Sequence, residues 1–279
     1  MPHPHRSYDD EGNASAVILL HGYPFNRSMW REQIEFLSAR GYRVVAPDLF
    51  EVSGSIERET ERQRPAQAYR TMLTMASMAH DVAALMNELR IDQAIICGLS
   101  MGAYVAFEFA QLFPHRVYAL VLAGARAQGP DEDEKQSREQ QGRRILTEGM
   151  AFVADAMLPK LLAPRTLAEQ PDVVSRVREM ILCTDPRAAA AAQRGMAARG
   201  DYSGYLTDID APTLIIAGRE DAIRKPEDAE FIHRGVANSR LEIIDDAAHL
   251  MNLEQPDVVN NALLRFLELG EGTETATLK

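Results

Sequence analysis

The sequence predicts an α/β fold: a mostly parallel central sheet, helices on both of its faces, and one large helical insertion. Three observations predict it. Continuous apolar runs at 16–20, 117–123 and 212–218 lack the alternation of half-exposed strands, as expected for strands covered on both faces. Helical patterns separate most of these runs, which is the arrangement that parallel crossovers require. From 126 to about 210 the alternation stops, and charged or alanine-rich helical segments follow one another without a convincing strand. A chain of 279 residues is long for one simple domain and short for two, so 1–125 and 211–279 are assigned to one core and 126–210 to a helical cap inserted in it.

In chain order, the strand at 16–20 runs straight into His21-Gly22-Tyr23-Pro24. A helix over 28–39 has Met29, Trp30, Ile34 and Leu37 on one side and Gly41 just past its end. The run at 42–47 is the next strand, and the polar, charged stretch 51–65 is expected to be an exposed excursion. Met72, Met75, Met78, Val82, Leu85 and Met86 then fall at helical spacing. Such a methionine stripe can line a ligand site, but core packing is the reading adopted here, with His80 and Asp81 an exposed pair. An apolar run of strand length from Ala94 that leads into Gly98, a helix over 103–113 stopped by Pro114, and the strand at 117–123 complete the first half.

Within the insertion, helices are expected over 131–148, 151–162, 171–183 and 186–199. The acidic run Asp131-Glu132-Asp133-Glu134 suits a helix start, where the macrodipole favours negative charge. Strands at 212–218 and 240–244 flank a helix over 226–234. The last helix begins at Gln255-Pro256 and runs to 269 with Val258, Val259, Leu263, Phe266 and Leu267 as its apolar side, and 270–279 is expected to be a disordered tail.

The net charge of -11 argues against a nucleic-acid backbone or an anionic membrane surface as partner. Cys97 and Cys183 make no disulfide framework, and His3 and His5 find no further His or Cys at ligand spacing, so no metal site is expected there. With no signal-like apolar stretch near the N-terminus and no run long enough to span a bilayer, a cytoplasmic location is expected. Assembly into a homo-oligomer is left open.

The chemistry gathers at strand ends. Gly98-Leu99-Ser100-Met101-Gly102 sits between a strand and a helix, the context in which Gly-x-Ser-x-Gly reads as a nucleophile elbow. An unassisted hydroxyl is a weak nucleophile and needs a base held by an acid. His249, in the loop after the last strand, is the candidate base, and Asp221, just past the strand at 212–218, is the candidate acid. Asp245 and Asp246 are rivals because they are near His249 in sequence, but an acid in the same short loop rarely reaches the far ring nitrogen. Met101, directly after the serine, would supply one backbone N–H of an oxyanion hole.

The order Ser100, Asp221, His249, with His21-Gly22-Tyr23-Pro24, Pro47-Asp48-Leu49, Gly218-Arg219-Glu220-Asp221 and Ala248-His249, resembles the serine-nucleophile branch of the α/β-hydrolase fold superfamily. The resemblance implies that Tyr23 supplies the second oxyanion N–H and that His21 braces its loop rather than ionising. Ser100 at the elbow sets aside dehalogenases and epoxide hydrolases, which carry an aspartate there. The elbow, together with 120–127, is most similar to 3-oxoadipate enol-lactonases and small carboxylesterases, whereas the chain departs from relatives after Asp48, where Arg-Gly-x-Gly-x-Ser is usual. The implied activity is cofactor-free hydrolysis of a small ester, lactone or thioester through an acyl-enzyme. Carbon–carbon bond hydrolysis or perhydrolysis on the same triad, and a non-enzymatic ligand receptor on the same fold, are the alternatives. Loops leaving the strands around the insertion face the edge that carries the elbow, so the insertion is expected to lie over Ser100, with Phe152, Met157 and Leu161 as candidate lining residues.

Overall fold

The computed structural model describes residues 7–52 and 72–274. The expected excursion at 51–65 lies outside them from residue 53 onward, as do His3, His5 and the last five residues. Seven strands form one sheet: β1 (Tyr8–Glu11), β2 (Ala16–Leu20), β3 (Arg43–Pro47), β4 (Ala94–Leu99), β5 (Val117–Ala123), β6 (Thr213–Gly218) and β7 (Ser239–Ile244). Their spatial order is β1-β3-β2-β4-β5-β6-β7; β1 runs antiparallel to β3 and every other pair is parallel.

The central strands are apolar throughout because both of their faces are covered: every residue of β2, β4 and β6 is buried. One strand was not expected. β1 has the sequence Tyr-Asp-Asp-Glu and pairs with β3 from Tyr8↔Pro47 to Glu11↔Val44. As an edge strand it is half-buried to exposed, so nothing in its composition demanded apolar residues.

Helices α1 (Arg31–Ser38), α2 (Leu49–Val52), α3 (Met75–Glu88) and α4 (Met101–Leu112) belong to the first half. In α3, Met75, Met78 and Met86 are buried in the core, each such side chain contributing about 1.5–3 kcal/mol. Met72, placed on the same stripe by spacing, instead precedes the helix and is exposed, because Thr74 caps α3 by accepting from the Ser77 N–H. His80 is exposed, its ring in a T-shaped contact with Phe113, whereas Asp81, expected to be exposed beside it, is half-buried.

Between β5 and β6 the described chain contains helices and no strand: α5 (Glu132–Glu148), α6 (Ala151–Leu161), α7 (Pro164–Glu169), α8 (Pro171–Leu182) and α9 (Pro186–Ala197). Asp131 caps α5 through the Glu134 N–H, with Glu132, Asp133 and Glu134 in the first turn. The short α7 was not expected. Helix α9 packs closely on the segment that leads into α3: the Leu73 N–H donates to the Ala191 carbonyl, and a Cβ on Gly195 would stand 1.7 Å from the Leu73 carbonyl oxygen.

The chain ends with α10 (Pro226–Gly235), α11 (Met251–Glu254) and α12 (Pro256–Glu274). Val259, Leu263, Phe266 and Leu267 are buried as expected, whereas Val258 is exposed, and α12 continues to Glu274 where a tail from 270 was expected. Among the described residues no helix is long and apolar enough to cross a membrane.

The strand order fixes where a ligand can sit. From β2 the chain moves outward to β3, and from β4 it moves the other way to β5, so the direction of winding reverses between β2 and β4. In open parallel sheets the crevice at the carboxyl ends of two such strands is the binding site. Here those two ends carry His21-Gly22-Tyr23 and Ser100.

Candidate active site

Ser100 links β4 to α4 with φ 56° and ψ -111°, a conformation that costs a non-glycine residue about 1–3 kcal/mol. Its surroundings hold it there. The Ser100 N–H donates to the Ala123 carbonyl at the end of β5 (2.8 Å), and its own carbonyl accepts from the Ala103 and Tyr104 N–H groups. The flanking glycines are required by space: a Cβ on Gly98 would lie 2.2 Å from the Gly102 carbonyl oxygen, and one on Gly102 would lie 2.1 Å from that of Leu20.

Met101 opens α4, so its N–H is one of those a helix leaves without an intrahelical acceptor. Tyr23 follows β2, and among the described residues its N–H donates to no carbonyl or side chain. His21 shapes that loop. Its Nε2 accepts from the Leu49 N–H (2.8 Å), so Nδ1 carries the proton and donates to the Gly22 carbonyl (2.9 Å). Burial lowers its pKa, and the ring is a neutral brace. The Tyr23 phenol is buried beside Gln193 and Arg138, and burial raises its pKa.

Asp221 and His249 come together from the loops after β6 and β7, both buried, with Oδ2 2.6 Å from Nδ1. The other carboxylate oxygen, Oδ1, accepts from the Ile223 and Arg224 N–H groups at 2.8 and 2.9 Å, so the carboxylate is held from two sides. The rivals are engaged elsewhere: Asp245 is exposed and bonds Arg219, and Asp246 is exposed and pairs with Arg165. The imidazole lies against Gly124, which directly follows the Ala123 that holds Ser100.

Several contacts of the site carried no sequence signal. Arg224 bonds the Tyr104 hydroxyl through Nε (2.8 Å), one turn beyond Ser100, and reaches Glu134 of α5 at 3.3 Å. Glu134 also takes Arg138 at 2.7 Å and Arg199 at 3.3 Å. Burial disfavours its charge, but these guanidinium groups outweigh that effect and hold its carboxyl down at about 2. The helical segment between β5 and β6 thus touches the site from several directions: Thr184 donates to the Pro24 carbonyl (2.6 Å), and the Leu161 carbonyl accepts from His249 N–H (3.1 Å).

A sheet of this topology with a strained serine after β4 and a buried Asp–His pair after β6 and β7 defines a hydrolase architecture. The chain belongs to the alpha/beta hydrolase family, whose sequence profile matches residues 17–262, and it is a hydrolase. Among its relatives, 3-oxoadipate enol-lactonase 2 of Acinetobacter baylyi is 26% identical over 253 residues, covering 91% of this chain and 88% of the relative. A thermophilic esterase from Thermogutta terrifontis superposes with a TM-score of 0.87 at 35% identity, over 95% of this chain and 93% of that one. The enol-lactonase of Burkholderia xenovorans gives a TM-score of 0.82 at 26% identity, over 94% and 96%.

Proposed function

We propose that this protein hydrolyses a small carboxylic ester or lactone by acyl transfer through Ser100. The observation that carries the reading is the buried 2.6 Å contact between Asp221 Oδ2 and His249 Nδ1, beside a serine held in the elbow conformation. With Asp221 on Nδ1, the proton sits there and Nε2 is left as the base. His249 takes the Ser100 proton as Oγ attacks the carbonyl carbon, and returns it to the leaving oxygen as the tetrahedral intermediate collapses to an acyl-enzyme. Water, activated in the same way, then releases the acid. The negative oxygen of each intermediate is received by the Met101 and Tyr23 N–H groups, donors whose directions are set before reaction.

The helical segment 126–210 acts as a cap that shapes the substrate pocket, a reading supported by its bonds to Pro24, His249 and Arg224. The esterase and enol-lactonase relatives support ester and lactone bonds as the scissile groups. Cys97 is buried and Cys183 exposed, both free, which suits action in the cytoplasm. A panel of chromogenic esters of increasing acyl length, with lactones and thioesters alongside, tests the proposal. Turnover of esters or lactones that is lost in Ser100→Ala supports it, and turnover that survives the substitution refutes it.

A further inference from the structure

We propose that Glu254 is a positioning residue for His249, and that through it Ala163 and Thr166 of the inserted segment, beside the direct contact from Leu161, set the place of the imidazole. The proposal rests on the catalytic reading given above. Glu254 ends α11 and is buried, with donors converging on it from two parts of the chain. Its Oε1 accepts from the Ala248 N–H at 2.8 Å, on the residue before His249. Its Oε2 accepts from the Ala163 N–H at 2.6 Å and from Thr166 Oγ1 at 2.7 Å, both in the insertion.

The next two N–H groups of the same loop reach the insertion directly. His249 N–H and Leu250 N–H both donate to the Leu161 carbonyl, at 3.1 and 3.2 Å. Leu161 is the last residue of α6, so its carbonyl has no acceptor role within the helix and is free to serve the loop. Three consecutive N–H groups, 248 to 250, therefore end on the insertion, one by way of Glu254 and two without an intermediary. The imidazole is tied to the core through Asp221, while its backbone is tied to the insertion. A base that must meet a serine hydroxyl to within a few tenths of an ångström depends on both ties.

A carboxylate at Glu254 meets all of its neighbours: two backbone N–H groups and one hydroxyl converge on its two oxygens. A glutamine has the same shape, but its NH2 must face either the Ala248 or the Ala163 N–H, so one backbone donor is left buried without an acceptor. Burial raises the carboxyl's pKa and the three donors pull the other way.

The test compares wild type, Glu254→Gln and Thr166→Val, each well below its own melting temperature. The readouts are the second-order rate of fluorophosphonate labelling, kcat and KM on the best ester, and the low-field proton NMR signal of the Asp221–His249 hydrogen bond. Glu254→Gln is expected to label about 10–100-fold more slowly, to lose kcat by a similar factor with KM within about twofold, and to shift or broaden the low-field proton. Thr166→Val, which removes one donor on the insertion side, is expected to change labelling in the same direction by about two- to fivefold. A folded Glu254→Gln that labels at the wild-type rate overturns the proposal, even if its melting temperature falls. If that variant does not fold, Thr166→Val decides, and an unchanged labelling rate overturns the proposal. A wild type that the probe does not label overturns the catalytic reading instead, and this proposal with it.

Discussion

Gly124 lies against the imidazole of His249: a Cβ placed on it would stand 3.1 Å from Cε1 and 3.2 Å from Nδ1. Its φ of +52° is also one that residues with side chains rarely adopt. Gly124→Ala is therefore expected to lower stability by about 1 kcal/mol through the backbone, and to lower kcat more than tenfold by displacing the ring. Steady-state kinetics with a denaturation curve separates the two effects. Wild-type kcat in a destabilised variant would show that the contact does not position the base.

Asp221→Asn should fold, because the Ile223 and Arg224 N–H groups still find an oxygen at Oδ1. It should lose about 10³–10⁴-fold in kcat, since an amide NH2 at the Oδ2 position cannot accept a hydrogen bond from Nδ1–H and the wrong tautomer results. Asn substitutions at Asp245 and Asp246, which bond arginines at the surface, should stay within about threefold of wild type. Losses at Asp245 or Asp246 as large as those at Asp221 would reverse the assignment.

The strands and the sites they carry differ in how far the sequence reveals them. β2, β4, β5 and β6 are legible because burial on both faces leaves continuous apolar runs, and Ser100 and Asp221 are legible because each follows such a run, whereas His249 trails the half-buried edge strand β7 and is legible from its place last in the chain order of the three. β1 is not, since an edge strand can be Tyr-Asp-Asp-Glu without burying charge. Glu254, Arg224 and Gly124 carry no local signal. Glu254 meets Ala163 across 91 residues of chain, and a glutamate before Gln-Pro reads like any helix-end residue until the fold closes around it. Val258 shows the same limit in reverse, its place on an apolar stripe being undone by what α12 packs against.

Glu134 makes a pH-dependent contribution to stability. Its folded pKa, about 2, lies below the ordinary 4.5, so the stabilisation is complete above pH 4.5 and fades as pH falls towards 2. Glu134→Gln should be less stable than wild type by about 1–2 kcal/mol at pH 7, solvent screening of this half-buried group reducing the full linkage value, with arginines left facing one another around the site, and the gap should narrow steadily between pH 4.5 and 2. Urea unfolding at a series of pH values measures this gap. A gap that stays constant across that window would mean that Glu134 is not the acid held down by Arg138, Arg199 and Arg224.

Phe152 and Met157 of α6 are half-buried, and the Arg144 guanidinium lies 4.0 Å over the Phe152 ring. If 126–210 shapes the pocket, Phe152→Ala and Met157→Ala should change the ratio of kcat/KM between short and long acyl esters by about 3–10-fold, with fluorophosphonate labelling retained. Leu161 is fully buried and its carbonyl serves His249, so Leu161→Ala, which leaves a cavity that lets this backbone shift, should slow all substrates together. Unchanged ratios at both Phe152 and Met157, in folded variants, would place the determinants of acyl length elsewhere.

The most direct measurement is the site of covalent labelling by a fluorophosphonate, located by mass spectrometry on the folded protein. One adduct on Ser100, absent from Ser100→Ala and slowed about a thousandfold or more in His249→Ala, is the predicted result. An adduct on any other serine, or none on folded wild type, would contradict the assignment of Ser100 as the nucleophile.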